Sequence, residues 1–69
     1  MSESLGEALP REIARVRDEV IPEYIAIGAP GQLAVMMMRA ELDAASKAMT
    51  EGDTVAMIRL YNSLKECHA

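Results

Sequence analysis

The residues able to do chemistry are few, and the most suggestive of them, Cys67 and His68, are neighbours near the end of the chain. A thiol beside an imidazole could bind a metal or act as a nucleophile–base pair. Consecutive residues on a helix, however, point about 100° apart, so adjacency alone does not bring the two groups together. Cys67 is the one cysteine and His68 the one histidine, so no CxxC or HxxxH spacing completes a zinc site. The pair reads as a semi-buried cysteine and a terminal histidine.

Met36, Met37 and Met38, with Met49 and Met57, offer soft thioethers of the kind that suit Cu(I). Three consecutive methionines point in three directions, and Met37 and Met38 fall on apolar helical stripes, so core packing accounts for them. Adaptable Met side chains also suit a partner-binding groove. Glu12, Asp18, Glu19, Glu23, Glu41 and Asp43 alternate with arginines on polar strips. Nothing in their spacing puts two carboxyls in a shared apolar pocket, as raised carboxyl pKa values require. A Glu-x-x-His di-metal signature on two helices is excluded by the single histidine. Arg11, Arg15, Arg17 and Arg39 are the cluster to test for nucleic acid, and Arg11 and Arg15 share a helix face. Glu12, Asp18 and Glu19 dilute that face, and the net charge of −4 disfavours phosphate-backbone binding. No residue is assigned a catalytic, cofactor-binding or metal-binding role, and the chain reads as a non-enzyme.

The elements that carry these residues follow from hydrophobic spacing. With 69 residues, the chain forms one small domain, and its apolar content argues against disorder. It has no Trp or Phe and only Tyr24 and Tyr61 as aromatics, so its core must be built from Leu, Ile, Val, Ala and six Met. Residues 1–8 are expected to form a flexible, disordered tail. Ser4-Leu5-Gly6-Glu7 fits a capping box by pattern, but Gly6 and Pro10 would then lie inside the helix. A start at Pro10 is preferred, because proline suits the first helical position. The first helix is predicted over about 10–27, with Leu9, Ile13, Val16, Val20, Tyr24 and Ile27 on one stripe and a kink at Pro22. Gly28-Ala29-Pro30-Gly31 ends it, with Gly28 as the left-handed terminator.

The second helix is predicted over 31–50 and carries two apolar stripes. Val35, Met38, Leu42, Ala45 and Met49 form one. Leu33, Met37, Ala40, Ala44 and Ala48 form the other, so this helix wants neighbours on two sides. Thr50-Glu51-Gly52-Asp53 reads as a tight junction, with Gly52 at positive φ and Asp53 capping the third helix, predicted over 53–66. Met57, Leu60, Tyr61, Leu64 and Cys67 form its inner face, and Val55 and Ile58 a flanking apolar edge. The short turn makes helices two and three an antiparallel αα-hairpin, with the kinked first helix laid across it.

Gly52-Asp53, followed by Met57-Ile58, Tyr61 and Leu64 and preceded by Ala45, resembles the turn and second helix of a tetratricopeptide unit. The likeness covers about a third of the chain. It lacks the large aromatic of that family's first helix and occurs once, whereas such arrays need about three units. What it implies is a helix–turn–helix hairpin.

Function is read from the apolar surplus. Small domains usually supplement a weak core with disulfides, a metal or oligomerisation. One cysteine excludes an internal disulfide, and metal ligands are scarce, which leaves self-association. The candidate interface comprises Leu33, Met36, Met37, Ala40, Ala44, Val55, Ile58 and Tyr24. The expected function is a protein–protein interaction module whose partner is a second copy (a homodimer or higher). The alternatives are a small regulatory or accessory protein of bacterial or phage type that binds a larger protein, and weak nucleic-acid binding through the first-helix arginines. The N-terminus carries no secretory pattern, the apolar run Leu33–Met38 is far too short to span a bilayer, and a lone thiol fits a reducing compartment. The expected location is the cytoplasm.

Overall fold

The structure, a computed structural model, describes residues 3–68. These residues form helices joined by short turns, with no strand among them. A continuous helical rod over residues 5–27 comprises α1 (Leu5–Arg15), a π-helical turn (Val16–Val20) and α2 (Ile21–Ile27). A 3-10 turn (Ala29–Gly31) leads into α3 (Gln32–Glu51), and α4 (Thr54–Lys65) completes the fold. The antiparallel hairpin α3–α4 is closely packed. The rod crosses it, with α1 lying mainly on α4 and α2 on α3.

The rod begins earlier than the expected start at Pro10. Met1 and Ser2 of the expected tail lie outside the described residues, but Leu5 to Ala8 are helical, and Pro10 sits inside α1. Ser4 and Glu7 occupy the capping-box positions. Their side chains bond each other at 3.0 Å, and the Ser4 carbonyl accepts from the Ala8 N–H at 2.8 Å. Pro10 costs the helix the bond its N–H would make to Gly6. Burial offsets that loss: Leu9 is fully buried, Ala8 nearly so, and Leu5 packs against the core.

The expected disturbance at Pro22 takes the form of a π turn on its N-terminal side. The Ile21 N–H donates to the carbonyl of Val16, five residues back, and Pro22 lies in the first turn of α2. A proline ring crowds the carbonyl four residues before it, here Asp18, and the wider π turn loosens that part of the ladder. It also breaks the register of the stripe. Val16 and Ile21, five apart, are both buried, while Ile27, placed on the stripe by a regular helical count, is 59% exposed.

At the two tight turns the backbone uses glycine. Gly52 adopts φ 69° and ψ 27°, the left-handed conformation that ends α3, and Asp53 accepts from the Ala56 N–H at 3.1 Å to cap α4. Gly28 has φ 88° but ψ −143°, an extended geometry essentially restricted to glycine rather than the expected left-handed one. The core gathers Leu9, Val16, Val20 and Ile21 from the rod, Val35, Met38, Leu42, Ala45 and Ala48 from α3, and Leu60 and Leu64 from α4.

Candidate interaction surface

Helix α3 has one face in the core and one in solvent. Of the first stripe, Val35, Met38, Leu42 and Ala45 are buried and Met49 is partly buried. Of the second, only Ala48 is buried. Leu33 is 68% exposed, Met37 62%, and the neighbouring Met36 68%, and Ala40 and Ala44 are also exposed. At about 100° per residue, Leu33, Met37, Ala40 and Ala44 fall within one narrow sector opposite the buried Val35 and Leu42, with buried Ala48 at its edge.

The remaining candidate residues do not join this sector. Val55, 78% exposed, and Ile58, 49% exposed, start α4 just after the Gly52 turn. In an antiparallel hairpin they therefore stand beside the C-terminal end of α3, while Leu33 lies roughly 28 Å away along the helix at 1.5 Å per residue. Tyr24 is partly buried, and its hydroxyl donates to the His68 carbonyl at 2.7 Å. Two open clefts flank it. One, of about 380 Å³, runs between the end of α2 and the start of α3 and is lined by Tyr24, Ile25, Met36 and Arg39. The other, of about 410 Å³, holds Met37, Glu41 and Cys67. Ile25 and Ile27, at the apolar end of the first helix but outside the candidate interface, are also exposed. The exposure of Ile27 follows from the register shift at the π turn, whereas Ile25 lies off the stripe on a regular helical count as well.

Of the chemistry-bearing residues, Cys67, Glu41 and the first-helix arginines are engaged within the fold. The Cys67 thiol lies 3.6 Å from the Ser63 carbonyl and 4.0 Å from Glu41 Oε2, and the Ser63 hydroxyl donates to Glu41 Oε1. Burial pushes the Cys67 pKa up, and the Glu41 carboxylate adds to the effect. This is the reverse of the electropositive setting that activates a nucleophilic cysteine. Among the described residues no three His, Cys, Asp or Glu side chains are grouped to hold a metal.

Arg15 bonds the carbonyls of Leu64 and Cys67 as well as Glu12. Arg11 pairs with Glu3, and Arg17 with Asp18 at 2.8 Å, where the guanidinium holds the exposed carboxyl below its usual range. Each first-helix arginine thus has an internal partner. Among the described residues no helix is long and apolar enough to cross a membrane. No protein-family model matches the chain, and comparison with curated proteins and with solved structures yields no significant match.

Proposed function

We propose that the chain is a non-enzymatic protein–protein interaction module that self-associates through the solvent face of α3. The observation that carries this reading is the exposure of Leu33, Met36 and Met37, each above 60%, beside Ala40 and Ala44 on the longest helix. The shape supports it. A compact monomer of 7.5 kDa would expose about 4,200 Å², and this chain exposes 4657 Å². Its radius of gyration is 12.3 Å, where about 11 Å is usual for this length. The single free thiol fits action in a reducing compartment such as the cytoplasm.

Sedimentation equilibrium across the micromolar range tests the proposal. The expected result is a mass that rises with concentration in the parent and stays monomeric in Met37→Glu, with unchanged far-ultraviolet circular dichroism. A parent that stays monomeric and unfolds cooperatively overturns self-association. A second reading, an accessory protein that docks on a larger partner, is favoured by the cleft between Tyr24, Ile25 and Met36, whose concave shape suits an inserted apolar side chain.

A further inference from the structure

The exposed face of α3 carries a size gradient. Leu33, Met37, Ala40 and Ala44 are spaced four, three and four apart, the rhythm of a coiled-coil seam, with its two large side chains at the N-terminal end and its two small ones at the C-terminal end. A parallel pair of such helices would set large on large at one end and Ala on Ala at the other, splaying the seam. Reversing one helix evens it out. A two-fold axis between residues 38 and 39 sets Leu33 against the partner's Ala44 and Met37 against the partner's Ala40, so every layer combines one large and one small side chain.

We propose that the occupant of this face is a second copy of the chain, its α3 packed antiparallel across that axis. The inference rests on the self-association reading above and adds its geometry. Charge favours the same occupant. The chain carries −4 overall, so two copies repel except where they are locally neutral. Along α3, Arg39 and Lys47 offset two of the three acids Glu41, Asp43 and Glu51, which leaves this helix close to neutral. The antiparallel pairing places Asp43 beside the partner's Met36, and not beside another acid. A seam of four side chains from each copy gives an interface at the small, transient end of the range. The dimer therefore forms and dissociates with concentration.

The test uses a Cys67→Ser background, which leaves no other cysteine, carrying Leu33→Cys or Ala44→Cys. Both positions are exposed, and circular dichroism checks that each variant keeps the fold. The two proteins are mixed and treated with a short bis-maleimide, and sedimentation separately reports whether dimers exist. The mixed Leu33→Cys/Ala44→Cys cross-link is expected to exceed either homodimer by about tenfold, because two copies of position 33 lie roughly 16 Å apart along the antiparallel axis. Dominant Leu33→Cys homodimer would mean a parallel pair and overturn the geometry while leaving self-association standing. A dimer by sedimentation with none of these cross-links would place the interface elsewhere, with the same consequence. Monomeric mass at every concentration overturns both readings.

Discussion

Arg15 reaches from the first rod to the far end of the chain, where its Nη2 donates to the carbonyl oxygen of Leu64 at 2.9 Å. A second donor, Nη1, reaches the Cys67 carbonyl at 3.1 Å, and Nε is held by Glu12 at 2.9 Å. The last carbonyls of a helix have no partner within it, and a cation there also suits the helix dipole. One guanidinium thus closes α4 and ties α1 to it.

Arg15→Ala is therefore expected to destabilise the fold by about 1.5–3 kcal/mol, the range for hydrogen bonds to a charged group. Arg15→Lys should recover only part of this, since an ammonium lacks the planar fork that serves two carbonyls and a carboxylate together. Urea unfolding of both variants checks this, and equal stability of the parent and Arg15→Ala would contradict it.

Gly31 and Gly28 are expected to resist substitution for different reasons. Gly31 has ordinary right-handed backbone angles, but a Cβ there would sit 2.2 Å from the Tyr24 carbonyl oxygen. Gly31→Ala must push α2 off the start of α3, at a cost of about 1–3 kcal/mol as for other overpacked sites. At Gly28 a Cβ meets nothing within 4 Å, and the obstacle is φ 88° alone. Chemical shifts around Tyr24 should move in Gly31→Ala and stay near parent values in Gly28→Ala, while thermal unfolding reports a loss in both.

Cys67 should react slowly with thiol reagents near neutral pH. Its pKa is raised in the fold, first by burial and then by the Glu41 carboxylate. The folded state thus holds the thiol proton more tightly than the unfolded chain does. Its contribution to stability is full below the ordinary thiol range and is lost as pH rises through the raised value. Glu41→Gln removes the nearer charge, and the pH profile of labelling should shift to lower pH without reaching that of a free thiol, because burial remains. An unshifted profile would remove Glu41 as a cause.

Much of this architecture could be read from residue types. The Gly52-Asp53 junction was plain because each residue has one local job, a positive φ and a cap. Ala45 and Leu64, part of the tetratricopeptide-like pattern, are fully buried in the hairpin. The inner stripe of α3 was equally legible, since α-helical periodicity holds without interruption through all 20 of its residues. The start of the first rod was not, because local penalties at Gly6 and Pro10 were set against a tertiary gain at Leu9 that no local rule contains. The π turn escaped for a related reason: proline announces a disturbance but not how the ladder absorbs it, and that choice decides whether Ile21 or Ile27 faces inward. Arg15 read as a surface charge, because its partners are backbone carbonyls 49 and 52 positions away.

Those separations also set an order of assembly. The α3–α4 hairpin closes across a turn of a few residues, whereas the bonds from Arg15 to Leu64 and from Tyr24 to His68 join positions 49 and 44 apart. Closing a loop of that length costs roughly 1.4 kcal/mol more chain entropy than closing one of ten residues. The α3–α4 hairpin and the α2–α3 corner are both local, and by loop length the docking of α1 on α4 comes last. Until α1 docks, α4 covers the inner stripe of α3 from one side only, and a half-folded chain presents more apolar surface to water than the finished one.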